Sequence, residues 1–304
     1  GYSTLGEVYG SLTLDKVAIQ VGRYAVNLPY VNKADIRMIP QTFQGAQAIY
    51  TLNTSWSVGG GVLTDIKART STGFDSMYAK AGLDKNENVY MAGSLYQPEP
   101  GTQLGLYSLH APDFHNGMFV ALSKRITLDT DKYIQFSGQY TRQESIGNEL
   151  DGDFSVDHYG ARVTWKKDWY SGSMAYTDYP EQDRIRRPWG SSPGYTSIMI
   201  NDFDRPEESA WLIGGTVDFT SMGAPGISAN VKYVIGDTPD CGMSASPDRD
   251  EANINLKYAP AASKLAGLVL QLRFGWGWEE ETCVGGDDDD VAEVRFVINY
   301  AFVI

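Results

Sequence analysis

The sequence predicts an all-β protein, an antiparallel transmembrane β-barrel, and three observations carry that expectation. The final strand alternates, with Ala292, Val294, Phe296, Ile298, Tyr300 and Phe302 facing one way and Glu293, Arg295 and Asn299 the other. The strand before it repeats the pattern, with Leu268, Leu270, Leu272, Phe274, Trp276 and Trp278 opposite Gln271 and Arg273. One face suits lipid and the other a wet lumen. A slip of one residue would push an arginine into lipid, at a cost of roughly 2–4 kcal/mol near the bilayer midplane. Thirdly, the mean hydropathy is -0.31, and no apolar run approaches the ~20 residues that a membrane helix needs, which excludes a helical membrane protein. Barrels cross with alternate residues only and escape such a scan.

Taken in order, period-2 segments broken by turn residues give about fifteen strands at roughly 20-residue spacing. They centre on Glu7 to Leu14, Val17 to Arg23, Ala46 to Leu52, Ser57 to Lys67, Asn88 to Tyr96, Leu104 to Leu109, Met118 to Ile126 and Tyr133 to Arg142. The rest are His158 to Trp165, Tyr170 to Tyr176, Trp211 to Phe219, Ile227 to Ile235, Ala252 to Tyr258, Leu268 to Trp278 and Val291 to Phe302. Gly105, Tyr107 and Phe119 blur the alternation of the sixth and seventh segments. The 32 glycines serve turns and close strand contacts, and the 19 tyrosines and 7 tryptophans suit membrane interfaces.

Connections alternate between short and long. Asp15-Lys16, Lys166 to Trp169, Thr220 to Gly226 and Ala259 to Ala266 are short; Tyr24 to Gln44, Thr70 to Glu87, Thr177 to Ser209, Gly236 to Glu251 and Glu279 to Asp290 are long. Outer-membrane barrels put short turns in the periplasm and long loops outside. The last strand then runs downward to a periplasmic C-terminus, and counting back makes the first strand downward too. A barrel whose N-terminus is also periplasmic begins upward, so an odd number of N-terminal strands is expected to be missing. The whole of 1–304 is read as one such barrel domain, with both termini of the complete protein in the periplasm.

A net charge of -13 argues against a nucleic-acid partner. The acidity concentrates in one connection, where Asp287, Asp288, Asp289 and Asp290 follow Glu279 to Glu281. That run reads either as a solvated loop or as a divalent-cation site beside the anionic headgroups of outer-membrane lipid and lipopolysaccharide; no other cofactor is expected. Cys241 and Cys283 are the only cysteines and fall in loops separated by one short turn. Export passes through an oxidising compartment, so a disulfide between them is expected.

Three stretches carry a family resemblance. Val21-Gly22-Arg23, Leu28-Pro29 and Asp35 through Gly45 (DIRMIPQTFQG) come first; Asn201 through Pro206 (NDFDRP), Glu207 through Trp211 (EESAW), Gly223 through Gly226 (GAPG), Tyr233 and Gly236-Asp237 follow; Glu293 through Tyr300 (EVRFVINY) closes the chain. In that order they resemble the OprD-like substrate-specific porins of Gram-negative outer membranes. The resemblance implies about 18 strands, so three precede Gly1, in keeping with the parity above. It makes 24–44 the third external loop, folded inward as a pore constriction, and 177–209 the seventh, a second inward loop. Tyr30, Asn32, Asp35 and Arg37 of the one, with Asp202, Asp204 and Arg205 of the other, then become constriction candidates. Asp35 and Arg37 could equally lock the loop to the wall by a salt bridge.

Extending the alternation backwards assigns Arg162, Lys232, Lys257, Arg273 and Arg295 to the lumen. Counted from the nearest turn or terminus, Lys257 is lowest, Lys232 and Arg273 are intermediate and Arg295 is higher. Fixed cations in a narrow, low-dielectric-walled pore lower the barrier to anionic groups, so a staircase of them offers successive weak sites; the family resemblance implies such a basic ladder. The competing reading pairs them with Glu293, Asp218 or loop carboxylates. The expected function is a passive, selective outer-membrane channel for small hydrophilic solutes such as carboxylates and amino acids. The alternative is a structural barrel, a scaffold or sheath for a partner protein. Monomer and trimer both stay open. No enzyme is expected: His110, His115 and His158 are the only histidines, and no G-x-S-x-G, H-E-x-x-H or phosphate-loop pattern occurs.

Overall fold

A computed structural model describes residues 5–34, 39–260, 265–280 and 290–301. The alternating segments become β1 (Val8–Leu14), β2 (Val17–Tyr24), β3 (Asn27–Leu28), β4 (Val31–Asn32), β5 (Thr42–Asn53), β6 (Trp56–Lys67) and β7 (Asp75–Ser76). After a single helical turn, α1 (Met77–Lys80), come β8 (Val89–Tyr96), β9 (Thr102–Ala111), β10 (His115–Asp129), β11 (Lys132–Ser145), β12 (Ser155–Lys167) and β13 (Tyr170–Asp178). The chain continues as β14 (Ser209–Asp218), β15 (Ile227–Asp237), β16 (Arg249–Tyr258), β17 (Leu268–Glu279) and β18 (Val291–Tyr300). The long strands lie in chain order along one sheet path from β1 to β18, as expected when each hairpin pairs with the next; β7 joins β6, and β3 pairs only with β4. Every segment read from the alternation is found within this set.

Hairpin turns follow from residues that accept a left-handed backbone. Asp15 (φ 44°) and Asp168 (φ 52°) close the β1–β2 and β12–β13 turns, where aspartate tolerates the conformation that a tight two-residue turn needs. The pleat then separates the faces. Val294, Phe296 and Ile298 on β18 are 60% exposed or more, an apolar surface that suits lipid rather than water.

The chain forms two compact units, one of residues 1–123, 139–158 and 183–193, the other of 124–138, 159–182 and 194–304. In the first, β9 and β10 run two or three residues beyond the expected ends, and Tyr107 and Leu109 of β9, Phe119 of β10 and Phe114 of the turn between them are buried. Loop residues cover that face: Tyr30 meets Phe119 edge-on, and Phe114 meets Trp189. The blurred alternation of these strands therefore has a physical cause, an inner face that is partly dry. In the second unit, Phe203 packs with Ala175, Ala210, Leu212 and Val234, and the loop residues Tyr195 and Ile198 add to the cluster. Gly236 makes room for it, since a Cβ there would lie 2.7 Å from the Phe203 ring.

Candidate functional site

In the first unit, the connection from β2 to β5 is built around the β3–β4 hairpin. Pro29 and Tyr30 form its turn, and Tyr30 has φ 61°, the conformation that a type II turn asks of its third residue and that a bulky side chain resists. Contacts hold it there. The Tyr30 hydroxyl hydrogen-bonds with Thr141 Oγ1 on β11 at 2.8 Å. Asn32 acts as a complementary amide toward the later long loop: its Nδ2 donates to the Ser191 carbonyl at 3.2 Å, and its Oδ1 accepts from Ser191 N at 3.1 Å. Gln41 Nε2 donates to the carbonyls of Trp189 and Asn32, at 2.6 and 2.9 Å. Gly190 permits the apposition, because a Cβ there would fall 2.8 Å from the Tyr30 carbonyl oxygen.

Trp189 is the keystone. It is 1% exposed, its indole N–H donates to Met77 O at 2.8 Å, and its ring stacks on His115 at 5.7 Å. Nearby, Gln143 mimics a strand edge for Arg186, donating to its carbonyl at 2.9 Å and accepting from its N–H at 2.7 Å. Arg186 continues to Asp151 at 2.8 Å and lies over Phe154. Behind these, Lys85 clasps Asp113, which also accepts from Asn148 N at 3.0 Å; the ammonium holds the Asp113 carboxyl below the usual carboxylate range, and the carboxylate raises Lys85. Beside the hairpin lies a cavity of about 500 Å³, lined by Leu28, Pro29, Gly61, Met91, Tyr107 and Phe119 among others.

In the second unit, the loop segment at Met199 is pinned from both sides. Glu251, fully buried on β16, accepts from the backbone N–H groups of Met199, Ile200 and Asn201 at 3.0, 2.8 and 2.6 Å, and from Asn253 Nδ2 at 2.7 Å. Arg295 donates to the Met199 carbonyl at 2.9 Å while paired to Glu293 at 2.7 Å. Further along, Arg249 makes a two-pronged pair with buried Glu208, at 2.8 and 2.7 Å, under the Phe203 ring. Pinned in this way, Ser197, Ile198 and Met199 roof a cavity of about 200 Å³ whose walls include Asn230, Lys232, Asn253, Asn255 and Arg273.

Two cations in that cavity are unpaired. Among the described residues, Lys232 and Arg273 make no hydrogen bond or ion pair, although Lys232 feels the charges of Arg162, Arg273 and Glu251. A half-buried charge left without a counter-charge is costly unless an anion arrives. Arg162 stands with its guanidinium 4.3 Å over the Tyr195 ring, and its Nε is buried without a hydrogen-bond partner. Lys257 is exposed and likewise makes no ion pair among the described residues.

Strand register sets the order of these cations. Arg162 shares a row with Ala175, Leu212, Val234 and Glu251; Lys232 is level with Asn253; Arg273 faces Arg295 directly; and Lys257 is level with Gln271. Successive rows are two residues apart, about 7 Å. The staircase thus descends from Arg162 through Lys232 to Arg273 and then Lys257. Arg295 does not stand above the others as its distance from the terminus suggests. The ladder pairs Leu268 with Tyr300, so a count from the terminus includes residues beyond the paired strand.

Tyr30 and Asn32, two of the expected constriction residues, spend their polar groups on loop clasps. Asp35 and Arg37 lie outside the described residues, as do Cys283, Asp287, Asp288 and Asp289; Cys241 is disulfide-bonded. Arg205 binds Glu279 and donates to Pro247 O at 2.7 Å, and Asp202 accepts from Ser197, so both fasten the loop. Asp204 is half-buried in the same segment. His158 is buried against Gln139, and His115 is buried under Trp189. The sequence reading missed Glu251, Asn253 and Trp189. Glu251 could have been found, because a carboxylate at a lumen-facing alternation position sits four residues from Asn255 and two from Asn253 on the same face.

Comparison with known proteins agrees with this architecture. The family described as "outer membrane porin, OprD family" matches residues 2–304. Porin D of Pseudomonas aeruginosa is 21% identical over 315 residues, covering 96% of this chain and 70% of that protein. Among solved structures, P. aeruginosa OccK9 (OpdG) superposes with a TM-score of 0.87 at 20% identity, over 96% of this chain and 74% of that one. P. aeruginosa OpdL gives 0.82 at 22% identity, over 96% and 80%.

Proposed function

Because this chain belongs to the OprD family of outer-membrane porins, we propose that the unpaired cations of the second unit form the stepped route by which small carboxylates pass. The fold is the antiparallel β-barrel of that family, and its setting is the outer membrane, where it serves as a substrate-specific channel for small molecules such as carboxylates and amino acids. The observation that carries the proposal is the Lys232–Arg273 pair, facing a roofed cavity with no hydrogen bond or ion pair to a protein carboxylate among the described residues. A carboxylate relieves that unbalanced charge, and the neighbouring rungs at Arg162 and Lys257 keep any one site from holding it too long. Arg295 belongs to the roof's fastening rather than to the ladder, because Glu293 neutralises it.

The connection 24–44 is the constriction in this reading, stiffened by the Trp189, Gln41 and Thr141 clasps, and 177–209 is the second inward loop. Tyr30 and Asn32 shape the narrowing by locking the hairpin, and Asp35 and Arg37 are its charged candidates; Asp202, Asp204 and Arg205 set the other loop's path. Long loops then face outward beside lipopolysaccharide, and the termini of the complete protein face the periplasm. Cys241 pairs with Cys283, and the run Asp287 to Asp290 binds divalent cations at the headgroup level. Family members are channels, and passage asks for no bond to be made or broken, so the chain is read as having no enzymatic role.

The test is ion current through the intact protein in planar bilayers. At low salt the current is expected to be anion-selective and to be reduced by millimolar small carboxylate. A cation-selective current, indifferent to carboxylate, would refute the route.

A further inference from the structure

The 200 Å³ cavity of the second unit offers more than positive charge. Asn230 and Asn255 are direct cross-strand partners on β15 and β16, and Arg273 is the next partner of Asn255 on β17. Both amides have their donor ends engaged. Asn230 Nδ2 donates to Gly215 O at 3.0 Å and to Thr216 Oγ1 at 2.9 Å, which fixes its orientation, since a backbone carbonyl can only accept. Asn255 Nδ2 donates to Gln271 Oε1 at 3.4 Å. Their carbonyl ends lack a donor: Asn255 Oδ1 is buried without a partner, and Asn230 Oδ1 accepts no hydrogen bond among the described residues. Asn253 differs, because both ends of its amide are spent on Glu251 and on Met199 N.

The cavity therefore sets two acceptor oxygens beside two unpaired cations. A bare carboxylate satisfies Lys232 and Arg273 but leaves both oxygens without a donor, and an unmet buried acceptor costs free energy. A solute with a hydroxyl next to its carboxylate satisfies both cations and, through its single O–H, one of the two oxygens. An ammonium is a poor donor here, because it must approach Lys232 and Arg273. We propose that Asn230 and Asn255 are specificity-determining residues that select carboxylates bearing an adjacent neutral donor, hydroxy acids above all, over plain carboxylates of the same size. The inference rests on the carboxylate route proposed above and adds the part of the solute that lies beside the carboxylate.

Three probes of nearly equal size separate the possibilities: lactate with a hydroxyl, propionate with none, and alanine with an ammonium. The reading is the concentration of each that halves the ion current through the intact protein in planar bilayers at low salt. Lactate is expected to act at about one-fifth the concentration of propionate, the effect of roughly one neutral hydrogen bond, and alanine to act least. In Asn255→Ala the lactate-to-propionate ratio should fall toward one. Asn230→Ala should do the same; if its loss of the Gly215 and Thr216 contacts impairs folding, Asn255→Leu supplies the second variant. Equal action of lactate and propionate on the wild type overturns the inference while leaving the carboxylate route standing. An unchanged preference in folded Asn255→Ala and Asn255→Leu also overturns it. If neither acid reduces the current, the route and the inference fall together.

Discussion

Replacing Glu251 with alanine should loosen the cavity roof while leaving the barrel intact. The wild-type carboxylate is fully buried and accepts three backbone N–H bonds, from Met199, Ile200 and Asn201. Charge-assisted bonds contribute roughly 1.5–3 kcal/mol each, and lumen water recovers part of that sum, so a net loss of about 4 kcal/mol is expected. At 1.4 kcal/mol per factor of ten, the roof's opening equilibrium should rise roughly a thousandfold. Arg295 still holds the Met199 carbonyl, and the Arg249–Glu208 pair still anchors the segment behind it. The opening should accordingly be local and transient. Single-channel recording of Glu251→Ala should show brief excursions above the wild-type conductance, with the heat-modifiable gel shift of a folded barrel preserved. Glu251→Gln, which keeps one oxygen, should fall between the two. Conductance and open-channel noise identical to wild type, in a folded Glu251→Ala barrel, would refute the reasoning.

Three further outcomes are expected. Trp189→Ala removes the Met77 bond and the His115 stack at a local cost of roughly 3–5 kcal/mol, so conductance should rise and proteolysis within 183–193 should begin, with the barrel still folded; a conductance at the wild-type level would count against the keystone role. The Lys85–Asp113 clasp should be pH-tolerant: the depressed carboxyl contributes stability above its ordinary value near ~3.9, lost only as pH falls through the lower folded value, and the raised ammonium contributes below its ordinary ~10.4, lost as pH rises through the higher one. Hydrogen exchange of Asn148 and Leu150, corrected for intrinsic rate, should stay flat from about pH 5 to 9 and rise only below the ordinary carboxylate range, while Asp113→Asn should show fast exchange throughout. Alkylation under native redox conditions should find no free thiol, with a peptide joining Cys241 to Cys283; two alkylated cysteines would overturn that pairing.

Much of the fold could be read from alternation because the two solvents differ so sharply. On β18 every outward residue from Val294 to Ile298 is apolar and exposed, and Glu293, Arg295 and Asn299 on the inward face are charged or polar, with Val297 the exception. The signal weakened at Tyr107 and Phe119, where inward loops replace lumen water with protein and so allow apolar residues on both faces. The candidate cations were legible by type and parity, but their pairing was not. Arg295 is tied to Glu293, two residues back on the same face of β18, whereas the lack of a partner at Arg273 depends on what the sheet places across from it, which is Arg295. Trp189 gave no sequence signal, because its partners Met77, His115 and Gln41 are brought to it only by the sheet.

The central claim is that Lys232 and Arg273 face solute rather than protein. Its most direct test is the reversal potential of the Lys232→Glu/Arg273→Glu double variant under a tenfold salt gradient at low ionic strength, compared with wild type. The account predicts a shift from anion toward cation selectivity, which shrinks at 1 M salt, where screening reduces the reach of each charge to ~3 Å. A folded double variant whose reversal potential at low salt equals that of wild type would contradict it.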